Sequence, residues 1–306
     1  MIDISFIDFL RDLTNPHLDF LARAVGISLI AAIVCGVIGC YVVLRGMAFI
    51  GDAVSHAVFP GLAIAFALQT SVLLGGAVAG AVVAVLIAAF SQRNHVRADS
   101  IIGIFFAAAF ALGMVIISRT DGYSASLTSF LFGSLTGVSR TDITVAASVC
   151  LVVLAVVVAF GPQLNATCLD RETARAMGLP VFALDIILYL CVTAAVVISV
   201  STIGNILVLA LLITPAATAR LLTANLTTMM FLSAIIGAVC SFFGIYLAWA
   251  IDLPAGATIV LTLTVLFLIV WALHPFLRSR RKPGHSSPRV PANASENTPR
   301  KETIES

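Results

Sequence analysis

Glutamate is almost missing from this sequence. Only four of 306 residues are glutamate, and three of these, Glu296, Glu302 and Glu305, lie in the last stretch; the fourth is Glu172. Charge of either sign is scarce, at 10% of residues against about 25% in soluble domains. With 60% hydrophobic residues, such a chain has too little polar surface to stay in water and reads as an integral membrane protein. Strict alternation is also lacking. The apolar runs are long and continuous, which favours helices over a barrel. The six cysteines (35, 40, 150, 168, 191, 240) form no CxxC pair and no disulfide spacing, so they read as small packing residues. No HExxH occurs, and no GxxxxGK[ST]; without a phosphate-cradling loop the chain does not hydrolyse ATP in the usual way. The stretch MIDISFIDFLRDLTNPHLDF has no basic n-region and carries four aspartates. It is expected to be a short interfacial amphipathic helix rather than a cleaved signal peptide.

What is present is a series of spanning-length segments, near 20–44, 49–68, 71–91, 100–118, 141–160, 181–200, 203–222, 226–250 and 255–274. The expected fold class is therefore an all-α, polytopic bundle of about nine transmembrane helices, with eight to ten left open because 127–139 suits a re-entrant or interfacial helix. Arg45, Arg93, Arg97, Arg171, Arg175, Arg220, Arg278, Arg280, Arg281 and Lys282 then share one side, and Arg11, Arg23, Arg119 and Arg140 the other. Basic loops stay cytoplasmic, which puts the N-terminus outside and the C-terminus inside. Three regions follow: an N-terminal interfacial segment at 1–19, a membrane domain at 20–277, and a polar, proline-containing tail at 278–306 that cannot bury enough surface to fold. The basic start of the tail suits anionic lipid headgroups. Gly76 and Gly80 in GGAVAG have the spacing that lets helices approach closely.

One polar cluster stands out. In GMAFIGDAVSHAVFPGLAIAFAL (46–68), Asp52, Ser55 and His56 lie at i, i+3 and i+4, on one helix face. With helix entry near Gly46, Asp52 lies about 9 Å deep and His56 about 15 Å. An ionised aspartate at mid-membrane costs roughly 2.5–3.5 kcal/mol, so it is expected to face a cavity, a partner or an ion. Pro60 has no N–H and leaves the carbonyl of His56 without its helical donor. This mixed set of N and O donors suits a borderline divalent cation. A structural Asp–His pair and a proton relay are the other readings of the spacing. Coupled carriers usually hold several intramembrane carboxylates. Asp52 is the single aspartate deep in an expected span, so the energy for any transport should come from another subunit. His17, His95, His274 and His285 fall in loops, at a span end and in the tail.

A second feature is the loop NATCLDRETARAMGLPVF. Asp170 can cap a short helix, and Gly178 and Pro180 can end it. Glu172 and Arg175 can pair, while Ala174 and Met177 form a small apolar edge. Such a helix suits a groove on another protein; an amphipathic loop lying on the membrane is the plainer reading. In the span 203–222, Pro215 frees the carbonyl of Leu211 and Asn205 offers an amide near one end. A helix can bend at such a proline, although membrane helices also tolerate proline through packing alone.

Three stretches together resemble one family. LRGMAFIGDAVSHAVFPGLAIAF, LDRETARAMGLPV and STIGNILVLALLITPAATARLL are similar to the signature region, the coupling-helix loop and a late span of the metal-ion permeases of ATP-binding-cassette importers. The resemblance covers most of residues 20–275. It implies that Asp52 and His56 are the metal ligands in the pore, with Ser55, Asn205, Pro60 and Pro215 as further candidates for lining the path. It also implies that Asp170, Arg171, Glu172, Ala174, Arg175, Met177 and Gly178 dock on the ATPase. The implied partners are a second permease chain, identical or not, cytoplasmic ATP-binding subunits, an extracytoplasmic metal-binding protein and membrane lipid, with no nucleic acid. No cofactor is permanently bound; Mn²⁺ or Zn²⁺, or iron, is cargo, and ATP is used by the partner. The expected function is that of a non-enzymatic permease subunit in the cell membrane. The alternatives are a permease for a metal chelate of the siderophore or cobalamin type, a stand-alone secondary carrier, and a membrane scaffold.

Overall fold

A computed structural model describes residues 5–92, 98–119 and 137–279. The re-entrant expectation at 127–139 falls almost wholly outside the described residues, as do Arg93, His95, Arg97 and the tail from residue 280 onward. Among the described residues the chain is helical, with no strand. The elements in order are α1 (Phe6–Leu13), a 3-10 turn (Pro16–Leu18), α2 (Asp19–Leu44), α3 (Ile50–Ala67), α4 (Val72–Phe90), α5 (Ala98–Ile117), α6 (Arg140–Leu169), α7 (Arg171–Ala176), α8 (Val181–Ile203), α9 (Asn205–Leu222), α10 (Leu226–Ile251) and α11 (Ala255–Ser279). Helices satisfy their own backbone donors and acceptors, which a lipid-facing chain must do.

Each of the nine apolar segments holds one long helix. Seven are long and apolar enough to cross a membrane; α3 and α9 are shorter apolar helices. The chain is thus a multi-pass membrane protein. Two boundaries differ from the sequence reading. Helix α6 runs for 30 residues, about 45 Å, through Pro162 and well past residue 160. The side chain of Asn165 in this extension accepts a hydrogen bond from Tyr41 Oη at 2.9 Å, which anchors it to α2. Helix α9 starts at Asn205 because Gly204, at φ 88°, breaks the chain direction after α8.

The core is built around α2 and α8, whose residues are mostly buried. Backbones touch where side chains are smallest. A Cβ on Gly39 of α2 would lie 1.8 Å from the carbonyl oxygen of Leu212 in α9, and one on Gly36 would lie 3.1 Å from the backbone of Ala234 in α10. Gly61 of α3 and Gly75 of α4 face each other in the same way. The spaced glycines of α4 also work within the chain: Gly76 meets Val58 of α3, and Gly80 meets Thr193 of α8. Apolar residues such as Val78, Val82, Leu151, Val158, Leu261 and Val265 are exposed on the outer helices.

Charges collect at the two ends of the bundle. At one end Asp19, at the start of α2, pairs with Arg23 (3.7 Å) and with Arg140 at the start of α6 (3.1 Å). At the other end, past the 26 residues of α2, Arg45 meets Asp185 at the start of α8 (2.5 Å). Arg23 and Arg140 thus lie at one end and Arg45 at the other. Helix α1 lies on α10: Phe9 is fully buried, with Tyr246, Trp249 and Phe242 at centroid distances of 5.3, 5.6 and 5.7 Å.

Placing a side chain at Gly39 should force α2 and α9 apart. Gly39→Val is expected to lower the thermal midpoint of the detergent-solubilised protein, with a loss of about 1–3 kcal/mol or more from overpacking. Gly26→Ala, where no atom lies within 4 Å of the added Cβ, should leave the midpoint unchanged.

Candidate metal site

The approach to the Asp52–His56 helix is a tight turn. Helix α2 ends with Gly46 at φ 67°. The N–H of Met47 donates to Val42 O at 3.0 Å and that of Gly46 to Val43 O at 3.2 Å, the paired bonds of a glycine-terminated helix end. Helix α3 therefore begins at Ile50, about a turn later than the entry near Gly46 assumed from sequence. Asp52 sits in its first turn and His56 in its second, about 3 and 9 Å along the helix. Along α3 itself the two residues thus lie nearer the helix start than the count from Gly46 gives.

The pair itself is formed. Asp52 Oδ1 lies 3.5 Å from His56 Nε2, and the two side chains are 32% and 15% exposed. The imidazole is held edge-on against two rings of α5, Phe106 at 5.0 Å and Phe110 at 5.3 Å between centroids. Sequence reasoning passed over these phenylalanines. Their spacing of four in FFAAAF was the available signal, because it puts both on one helix face. Ser55 does not join the pair: it is fully buried and its hydroxyl donates to the Asp52 carbonyl at 2.9 Å. Pro60 lies inside α3 and lines, with Gly61, Ala57, Phe105, Ala109 and Leu112, an apolar cavity of about 660 Å³ between α3, α4 and α5. Pro215 is buried inside α9, on the side facing Gly237 of α10. Asn205 opens α9, and its side chain lies outside the described set.

Among the described residues no group of three or more His, Cys, Asp or Glu side chains comes together. One chain therefore supplies one carboxylate and one imidazole at this place. A four-coordinate cation would need further donors from water, backbone carbonyls or a second chain.

The loop after α6 folds as its residues dictate. Asp170 caps α7, its Oδ1 accepting the N–H groups of Glu172 (2.9 Å) and Thr173 (3.3 Å), while the Thr173 hydroxyl donates to Oδ2. These bonds, the Thr173 hydroxyl first, hold the Asp170 carboxyl below the usual carboxylate range. The cap is fully present above the ordinary aspartate pKa and is lost only as pH falls through the lowered value. Gly178, at φ 77°, closes the other end, with Leu179 N–H donating to Ala174 O at 3.1 Å and Gly178 N–H to Arg175 O at 2.9 Å. Pro180 then opens the way to α8.

The faces of α7 differ from the sequence reading. Ala174 is buried at 1% exposure and Met177 is 68% exposed, so the two do not form one apolar edge. Exposed Leu169 and Phe182 flank Met177 in the chain instead. Among the described residues Glu172 and Arg175 make no ion pair; Arg175 Nη2 donates to Gln92 Oε1 at 3.2 Å. Arg171 turns inward to Asp185.

Residues 17–274 match the ABC 3 transport family. The chain is 41% identical over 256 residues to the manganese transport system membrane protein MntC of Halalkalibacterium halodurans, covering 84% of this chain and 88% of that one. It is 35% identical over 268 residues to the manganese import system permease protein ScaB of Streptococcus gordonii, covering 88% and 95%. Among solved structures it superimposes on a chain of PsaBC from Streptococcus pneumoniae in complex with Fab, with a TM-score of 0.78 and 35% identity, over 90% of this chain and all of that one. The span-rich fold and the three motifs thus have one common explanation: the chain belongs to the ABC 3 transport family, the metal-ion permeases of ATP-binding-cassette importers.

Proposed function

We propose that this chain is the permease of an ATP-driven importer of Mn²⁺, with nine spans, an external N-terminus and a cytoplasmic C-terminus. Two permease chains face each other around the ion path, and each presents Asp52 and His56. The single observation that carries this reading is the Asp52–His56 pair, a carboxylate and an imidazole 3.5 Å apart in a bundle with very few other charges. Two such pairs give two oxygen and two nitrogen donors, and water completes the shell. Manganese is preferred over zinc and iron because the relatives at 41% and 35% identity are named for manganese; the donors alone suit all three. Phe106 and Phe110 restrict the imidazole, so that the cation meets an oriented donor. With two ligands per chain the grip stays weak enough for release, as conduction requires.

Energy enters through α7. Helix α7, with exposed Met177, Glu172 and Arg175, is the surface for a cytoplasmic ATPase, and an extracytoplasmic binding protein delivers the metal. ATP binding to the paired ATPases moves the two α7 helices and switches the bundle between outward and inward access.

Uptake of radioactive manganese into cells carrying the importer genes tests the site. Asp52→Asn and His56→Ala should each lower uptake at least about tenfold, the loss that follows even when only a supporting residue behind a metal ligand is removed. Amount and assembly of the protein should be unchanged. Wild-type uptake by both variants removes the site. Docking has a separate test. Met177→Asp puts a charge on the exposed face of α7 and should abolish co-purification of the ATPase without loss of permease. Ala174→Asp buries that charge against the bundle and should instead lower the yield of folded permease.

A further inference from the structure

The charged group that matters most for the geometry at the docking end is not on the docking helix. Asp185 lies in the second turn of α8 with no exposed surface. Its two oxygens are divided between two arginines: Oδ1 accepts from Arg45 Nη1 at 2.5 Å, and Oδ2 accepts from Arg171. Gln92, just past the end of α4, also donates to Oδ2 at 3.3 Å, and its own Oε1 accepts from Arg175. Arg45 is itself only 6% exposed. Its other nitrogens reach the end of α6, with Nε 3.1 Å from Cys168 Sγ and Nη2 3.0 Å from Thr167 Oγ1. One carboxylate thus joins both arginines of α7, directly or through Gln92, to the inner ends of α2, α4, α6 and α8.

The position of Arg45 gives this cluster a direction. Arg45 immediately precedes the Gly46 turn, and Asp52 follows seven residues after it. One helical turn further along α8, the hydroxyl of Tyr189 donates to Met47 Sδ at 3.3 Å, inside that same turn. Asp185 and Tyr189 therefore grip the turn on both sides of Gly46. A displacement of α7 is carried by Arg171 to Asp185, by Asp185 to Arg45, and by the turn to the start of α3. A charge buried this deeply cannot slip to a water partner without a large cost, so the linkage moves as a unit.

We propose that Asp185 is the positioning residue that couples α7 to the Asp52–His56 helix, so that ATPase movement re-aims the metal ligands. This rests on the reading of α7 as the ATPase docking helix. Nothing in the clamp touches the cargo, and the ligands themselves are unaltered when it is broken. Its loss is therefore felt in coupling rather than in assembly or metal affinity.

The test is made on the whole importer, purified with its ATPases and reconstituted in liposomes, by reading ATP hydrolysis and manganese uptake on one preparation. A wild-type complex that hydrolyses ATP and moves no manganese refutes the proposed function before any variant is compared; loss of ATPase co-purification is scored separately. Asp185→Asn and Arg45→Gln should each retain ATPase co-purification, with hydrolysis within about twofold of wild type, and lose at least about tenfold in uptake per ATP. The double variant should be no worse than the worse single, because both break one linkage. An unchanged uptake per ATP in Asp185→Asn overturns the proposal. So does a parallel fall of hydrolysis, uptake and folded yield, which marks a purely structural role. Where Asp185→Asn fails to assemble, the ratio is read on Gln92→Ala, which keeps both ion pairs and removes only the neutral arm; a fall of about twofold or more is expected, and an unchanged ratio overturns the proposal.

Discussion

The contact between Asp185 and its two arginines is the constraint around which the α7 end of the bundle is arranged. Two guanidinium groups and one carboxylate are costly to remove from water unless their geometry is nearly complete. Here both carboxylate oxygens are used, and Arg45 has a further partner for each of its remaining nitrogens. That requirement fixes where α2, α6 and α8 end relative to one another. The opposite end is held more loosely, by exposed pairs of Asp19 with Arg23 and Arg140, which contribute little on their own. One end of the molecule is therefore held by a buried polar knot, and the other by surface ion pairs together with the aromatic packing of α1 on α10.

Between the two ends the helices are held by close backbone approach. A hydrophobic driving force is weak between helices in lipid, so packing and small residues decide the contacts. Gly39 against Leu212 and Gly61 against Gly75 bring backbones close enough to exclude any side chain. Both contacts involve elements next to the Asp52–His56 pair: α9 meets α3 at Gly51 through Leu212, and α4 meets α3 directly. The pair is thus carried on a helix clasped from two sides, with its turn fixed by Met47 and Tyr189.

Much of the architecture was legible from local pattern. Long apolar runs located the nine long helices among the described residues, and the cap, glycine and proline around DRETARAMGLP located α7, because these signals act over a few residues. The Asp52–His56 pair followed from spacing alone. What escaped were facts that depend on the third dimension. The inward turn of Ala174, the partners of Asp185 at positions 45 and 171, and the rings of Phe106 and Phe110 on His56 come from helix contacts that periodicity does not specify. The late start of α3 was missed because Gly46 was read as an entry point rather than as the left-handed close of α2. The extension of α6 past residue 160 was missed because Pro162 and its polar neighbours look like a terminus, while the Tyr41–Asn165 bond carries the helix on.

The shortage of carboxylates ties these points together. A carrier that draws on an ion gradient needs acidic groups of its own along the path. Two of the acidic groups in the bundle differ sharply in their surroundings: Asp52 is half-open beside an imidazole, and Asp185 is sealed between arginines. The first, 32% exposed, remains reachable by water. The second has no exposed surface and no oxygen left over. The contrast holds although only the six residues 46–51 separate Asp52 from Arg45, itself a partner of Asp185.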